Sequence, residues 1–283
     1  MRWRLAAILL AALLVGCRTG AGSLPDQVTP GPHEGLDAVL WMQTSAEYRI
    51  SAEQAYRLAM LRLEDALRPE NAGWTAAVEQ KPGYAGLPPA VILDVDDTVL
   101  ASTPFQAQLV REQARFEPEA WSAWVRKEEA PAVPGSLALA RSARERGVRI
   151  FYITNRELDL EEATRRNLER QGFPVEGGGD SILSRGERPG WDLKLPRREF
   201  VASSHRVLLI VGDSLDDFVA GSRAAAEERN ALAQRYDDYW GTRWILIPNP
   251  VYGDWLRSLD GFGHAPPPGE ILRRKQELLE PYD

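Results

Sequence analysis

The 283-residue sequence predicts an α/β fold in which a doubly wound parallel sheet carries a small, mostly helical cap. Three observations predict it. Apolar runs of strand length recur at Ala90–Leu93, Arg149–Ile153 and Arg206–Val211, each closed by polar or acidic residues, and a strand buried on both faces reads as such a run. Helical patterns lie between the runs: Ser136–Arg146 stops at Gly147 and Glu157–Gln171 stops at Gly172. Glycine accepts the left-handed conformation that closes a helix. Finally, strands alternating with helices in this way build a parallel sheet.

The elements follow in order. Arg2 and Arg4 precede an apolar stretch, Leu5–Val15, of signal-peptide length and too short to span a bilayer. Leu14-Val15-Gly16-Cys17 resembles a bacterial lipobox. Residues 1–16 then form a lipoprotein signal peptide, and Cys17, the single cysteine, carries the lipid. Several acyl chains on one residue anchor a protein stably. An ordinary secretory signal with a chance cysteine is the alternative. Arg18, where an Asp would resemble an inner-membrane retention signal, favours the outer membrane. Residues 17–35, rich in Gly, Pro and Ser, read as a tether, and residues 36–283 as the folded domain.

Leu36–Leu67 has a helical pattern, with Ala55, Leu58, Leu61, Leu63 and Leu67 mostly on one face. Residues 71–89 read as a loop, and residues 103–134 as a mainly helical cap between the first and second strands. The final strand, Arg243–Ile247, is stopped by Pro248. Gly177-Gly178-Gly179 reads as a mobile loop. No internal repeat is visible.

Composition narrows the function classes. A net charge of −7, with 44% apolar and 27% charged residues, describes a globular chain and argues against nonspecific nucleic-acid binding. The run Arg273-Arg274-Lys275 reads as a solvated helix face. His33, His205 and His264 are too scattered for a metal set. No Gly-x-x-x-x-Gly-Lys-Ser/Thr loop occurs, which argues against an ATP cradle.

The chemistry concentrates at strand ends. Asp94 closes the first apolar run and Asp96 follows two residues later. Both can face the crevice at the strand's C-terminal end, where open α/β sheets bind ligands. Two carboxylates this close repel and need a cation or a shared proton. The pair therefore suits Mg²⁺, and a metal-shielded carboxylate can attack phosphorus. Thr154-Asn155-Arg156 follows the second strand and Gly212-Asp213-Ser214-Leu215-Asp216-Asp217 the third. Lys194 lies between them in Trp191-Asp192-Leu193-Lys194-Leu195-Pro196-Arg197-Arg198.

This ordered set resembles the haloacid dehalogenase superfamily of phosphohydrolases, with its Asp-x-Asp-x-Thr, Ser/Thr, Lys and Gly-Asp-x-x-x-Asp motifs. More narrowly it is similar to the bacterial lipoprotein acid phosphatase and 5'-nucleotidase family, the class C nonspecific acid phosphatases. Leu40-Trp41-Met42-Gln43-Thr44-Ser45-Ala46-Glu47-Tyr48, Trp121-Ser122-Ala123-Trp124-Val125, Ala132-Val133-Pro134-Gly135 and Pro248-Asn249-Pro250-Val251-Tyr252-Gly253-Asp254-Trp255 carry that likeness, which covers roughly residues 38 to 260. Asp97 stands where the commonest family form has Glu. The resemblance implies a Rossmann-like core and a Mg²⁺-dependent phosphomonoesterase.

Roles follow from this chemistry and this resemblance. Asp94 is the expected nucleophile, forming an aspartyl-phosphate, and Asp96 the general acid and base. Asp94, Asp213 and Asp96, the last through its main-chain carbonyl, are the expected Mg²⁺ ligands. Thr154 and Lys194 hold the transferring phosphoryl group. Arg197 and Arg198 compete with Lys194, but the family's Lys-x-x-Arg pattern fits Lys194 with Arg197. Asn155 and Arg197 orient the site, and Asp217 orients Lys194 or a metal-bound water. By resemblance, Trp121 and Tyr252 stack on a nucleotide base or nicotinamide ring, and core packing is the alternative for each. The expected substrates are small phosphomonoesters outside the cytoplasm: nicotinamide mononucleotide, AMP and aryl phosphates. Two rivals stay open, a lipoprotein that binds phosphorylated ligands without turnover and a phosphotransferase using the same site.

Overall fold

The computed structural model describes residues 33–176, 180–259 and 268–281. The expected signal peptide, Cys17, most of the expected tether and Gly177–Gly179 lie outside the described residues. The chain opens with two helices, α1 (Leu36–Thr44) and α2 (Ala46–Leu67). The expected continuous helix is broken at Ser45, whose extended backbone and hydroxyl cap α2 by accepting the Tyr48 N–H at 3.0 Å. The buried face of α2 is Tyr48, Ala52, Tyr56, Ala59, Leu63 and Ala66, and Leu61 is 58% exposed. The expected face overlaps it in part: Leu63 lies in it, Ala55, Leu58 and Leu67 pack partly buried at its edge, and three of its members are alanines. Their small size lets the helix lie close against its neighbours.

Five strands form one parallel sheet in the order β3-β2-β1-β4-β5: β1 (Pro89–Leu93), β2 (Arg149–Glu157), β3 (Ile182–Arg185), β4 (Arg206–Gly212) and β5 (Trp244–Leu246). The chain winds outward from β1 through β2 to β3, then returns to the other side of β1. That reversal opens a crevice beyond the C-terminal ends of β1 and β4. Side-chain alternation divides each apolar run between two core layers. Val91 and Leu93 pack with α2 and with α5 (Ser136–Glu145), whereas Ala90 and Ile92 pack with α7 (Lys194–Ser204). An irregularity between Ala90 and Val91 leaves Leu208 as an extra residue in β4. The Leu208 carbonyl accepts from Trp74 Nε1 at 2.8 Å instead. Gly135 opens α5 with φ +90, and a Cβ there would meet Tyr56 at 2.9 Å.

The cap comprises α3 (Thr103–Glu112) and α4 (Pro118–Val125). Its two ends run side by side, with the Ala101 N–H on the Pro131 carbonyl at 2.8 Å and the Val133 N–H on the Val99 carbonyl at 3.0 Å. Asn167, on α6 (Glu161–Arg170), clamps the return by bonding both main-chain groups of Ala130. Two elements depart from expectation. The helix expected from Glu157 begins at Glu161, because β2 continues through Thr154-Asn155-Arg156 and pairs Glu157 with Arg185. The four-residue strand β3 is too short to stand out in the sequence. The remaining α-helices among the described residues are α8 (Ala226–Arg235), α9 (Asp254–Leu259) and α10 (Pro268–Glu277). Among the described residues no helix is long and apolar enough to cross a membrane.

Candidate active site

The crevice gathers the charged ends of β1, β2 and β4. Asp94 directly follows β1, and its N–H continues the sheet by donating to the Val211 carbonyl at 2.9 Å. Its carboxylate is buried and accepts from Lys194 Nζ, through Oδ1, at 2.5 Å. Lys194 is the first residue of α7 and also donates to Asp217 Oδ1. Asp217 is fixed in turn by a reciprocal cap, its Oδ2 accepting the Ser214 N–H at 2.9 Å. This explains the glycine that ends β4: a Cβ on Gly212 would collide with the Asp217 carboxylate. Asp213 Oδ2 accepts from Asn249 Nδ2 at 2.7 Å.

Asp94, Asp213 and Asp217 each present a carboxylate oxygen within 4.8 Å of the others. Burial raises the Asp94 carboxyl to about 7; Lys194 opposes the rise, and Asp217 and Asp96 add to it. Asp213 is pushed well above the ordinary carboxylate range by burial, then by Asp94 and Asp217. Burial also raises Asp217, against the pull of Lys194. Burial disfavours the Lys194 charge, yet Asp217 and Asp94 outweigh it and hold the ammonium above its usual value. One ammonium among three carboxylates, two of them buried and Asp213 half-buried, leaves a negative excess. A hard divalent cation fits both that excess and an all-oxygen donor set. Among the described residues nothing hydrogen-bonds Asp94 Oδ2 or Asp213 Oδ1. These two atoms are the open donors, whereas both Asp217 oxygens are engaged.

Asp96 faces a different partner. Arg156 grips it with Nη2–Oδ1 at 2.7 Å and Nε at 3.2 Å from both oxygens. The guanidinium is itself buried, bonded to Thr164 Oγ1 at 3.1 Å, and lies 5.7 Å from the Trp121 ring centroid. Sequence reading quoted Arg156 beside Thr154 but gave it no role. Thr154 is buried, and its hydroxyl accepts the Arg156 N–H at 3.1 Å.

Of the three competing cations on α7, only Lys194 meets the carboxylate cluster. Arg197 is fully buried and binds the main-chain carbonyls of Thr154 and Leu183, and Asn155 Oδ1 at 2.8 Å. Burial lowers it to about 10. It ties the ends of β2 and β3 together, with Asn155 as a further partner. Arg198 turns to Glu79 at 2.9 Å and to the carbonyls of Asp216 and Asp217. Asn249 is a further site residue without a role in the sequence reading; its signal was its place in the C-terminal signature.

The two expected stacking residues flank the first-motif loop. Trp121 is half-buried in a cluster with Phe105, Phe116 and Trp124, centroids 5.0–6.2 Å away. Tyr252 donates its hydroxyl to Asp97 Oδ2 at 2.6 Å. Burial, then Asp97, raises the phenol well above its ordinary value, so it remains a donor.

The family model for the HAD superfamily, subfamily IIIB (acid phosphatase), matches residues 32–255. The chain belongs to this family of acid phosphatases. Its fold agrees with the solved structure of the class C acid phosphatase from Bacillus anthracis, at a TM-score of 0.78 and 32% identity over 89% of this chain and 99% of that one. A second structure of that phosphatase, with tungstate bound, matches equally. Curated relatives are more distant. The stem 28 kDa glycoprotein of Glycine max is 23% identical over 166 residues, and a stem 31 kDa glycoprotein is 24% identical over 137. The chain spans 58% and 46% of their respective lengths.

Proposed function

We propose that this acid phosphatase hydrolyses nucleoside monophosphates and aryl phosphates outside the cytoplasm, through an aspartyl-phosphate on Asp94, with Mg²⁺ as its metal. The observation that carries the reading is the division of labour between the paired aspartates: Asp94 in the cation-seeking cluster, Asp96 held apart by Arg156. Asp94 attacks phosphorus, and the P–O bond to the leaving group breaks. Asp96 gives that oxygen its proton. Asp96 then takes a proton from water, which attacks the phosphorus and releases inorganic phosphate and the Asp94 carboxylate. Lys194 and the Thr154 hydroxyl offset charge on the phosphoryl oxygens. Asp94, Asp213 and the Asp96 main-chain carbonyl would hold Mg²⁺, which supplies screening between two anions as they meet.

Trp121 and Tyr252 support the choice of ring-bearing leaving groups, since aromatic faces stack on any base. Nicotinamide mononucleotide and AMP fit that chemistry. Lipid on Cys17 would hold the enzyme at the cell envelope, at the outer membrane. The test is phosphate release by the full chain in detergent from nicotinamide mononucleotide, AMP, an aryl phosphate and glycerol phosphate, with Mg²⁺ or EDTA. Mg²⁺-dependent release, fastest on the ring-bearing esters, is expected. Tight binding without release would replace hydrolysis by a binding role.

A further inference from the structure

Asp97 has no part in the chemistry above, yet it is one of the most constrained residues of the site. It is fully buried and has φ 55, a left-handed conformation that few residues other than Gly, Asn and Asp accept readily. Its carboxylate collects three donors. Oδ1 accepts the Ser102 N–H at 2.9 Å; Oδ2 accepts the Ser102 hydroxyl at 2.5 Å and the Tyr252 hydroxyl at 2.6 Å. Hydrogen bonds to an ionised acceptor are stronger than neutral ones, so this carboxylate is a firm joint.

The donors come from opposite sides of the crevice. Ser102 immediately precedes α3, whose first turn carries Phe105, and Phe105 meets Trp121 edge-on at 5.2 Å. Tyr252 belongs to the segment after β5 that also sends Asn249 to Asp213. One side chain, adjacent in sequence to Asp96, thus joins the cap's aromatic cluster to the C-terminal aromatic residue.

We propose that Asp97 is a positioning residue for substrate choice. Its carboxylate holds Tyr252 and, through Ser102 and Phe105, the Trp121 cluster at fixed places beside the paired aspartates, so that a ring-bearing leaving group meets a preset wall. This rests on the reading that Tyr252 and Trp121 contact the ring. A preset aromatic loses little conformational entropy when substrate binds, whereas a loosened one must be ordered at the expense of affinity. Asp97 itself touches neither phosphate nor leaving group.

The test compares kcat/KM on an aryl phosphate and on glycerol phosphate for the full chain in detergent. Variants are Tyr252→Phe, Asp97→Asn, the double variant and Tyr252→Ala. Asn tolerates the left-handed backbone, and Phe keeps the ring while removing the hydroxyl. Loss of a hydrogen bond to a charged group is expected to lower the aryl-to-glycerol ratio about tenfold in each single variant, mainly through KM on the aryl ester. The double variant should fall no further than Asp97→Asn alone, because the Asp97 change already removes the carboxylate that Tyr252 is tied to. If Tyr252→Phe keeps the ratio and Tyr252→Ala loses it, the ring works without its tie; the Asp97 proposal is then wrong and the stacking reading survives. If Tyr252→Ala also keeps the ratio, the stacking reading fails and takes the proposal with it. Effects that multiply in the double variant would show two independent roles and overturn the proposal. Tyr252→Phe leaves both Ser102 bonds in place, so it carries the test even where Asp97→Asn does not fold.

Discussion

Asp94 and Asp96 lie two residues apart on one loop but at opposite poles of the site. Around Asp94 the neighbours are Asp213, Asp217 and a single ammonium, and negative charge accumulates. Around Asp96 one guanidinium grips both oxygens beneath the cap's aromatic cluster, and the charge is matched. The difference teaches how one loop can give two neighbouring carboxylates opposite surroundings. A carboxylate among like charges needs a cation and suits attack on an anion. A carboxylate in a matched pair keeps a fixed direction, which positions it for proton transfer at one atom.

Breaking the first pole should have the largest effect. Asp94→Asn should lower turnover by at least about a thousandfold, since the covalent step disappears, while thermal unfolding stays close to wild type. Retained turnover would remove Asp94 as nucleophile. Lys194→Met comes next. It strands buried carboxylates, and removing one partner of a buried pair costs about 3–5 kcal/mol. Denaturant unfolding should show that loss, and Mg²⁺ should restore more stability to the variant than it adds to wild type.

At the second pole, Arg156→Met frees Asp96 without touching the cluster. Turnover should fall by about a hundredfold, the scale of positioned acid–base catalysis, with KM little changed. A rise in KM at constant kcat would instead place Arg156 in substrate binding.

The smallest effect separates the poles by pH. Burial raises Asp94 from an ordinary value of 3.8 to about 7 in the folded state. The folded protein therefore binds more protons than the unfolded chain across that window. In EDTA, stability should be greatest at the acidic end and decline as pH rises toward 7. With Mg²⁺ the charged form gains a partner, and the decline should flatten. A melting-temperature series at fixed ionic strength checks this, and an EDTA profile that rises with pH would contradict the account of the cluster.

The first pole was largely legible in the sequence because strands announce themselves as apolar runs and the chemistry sits where the runs stop. Asp94 and Asp213 fall at this crevice for that reason; Lys194 follows no such run and is marked only by motif order, reaching the cluster from the first position of α7. The second pole was not. Arg156 reaches Asp96 across 60 residues, and nothing local distinguishes it from the other arginines nearby. Arg197 illustrates the converse: motif spacing points to it, and only the fold shows that its guanidinium goes to the carbonyls of Thr154 and Leu183. The apolar pattern of α2 marks its core side only in part, since Ala52, Ala59 and Ala66 carry its centre and Leu61 lies outside it, and β3 escapes notice because four residues hold too little pattern.

The central claim is that Asp94 carries the phosphoryl group and Asp96 clears it. Acid-quenched reactions of the Asp96→Asn variant with an aryl phosphate test it most directly, by mapping the phosphorylated peptide. The account predicts a hydroxylamine-labile phosphate on Asp94 that accumulates in this variant and is absent from Asp94→Asn. Phosphate on another residue, or turnover in Asp94→Asn, would contradict it.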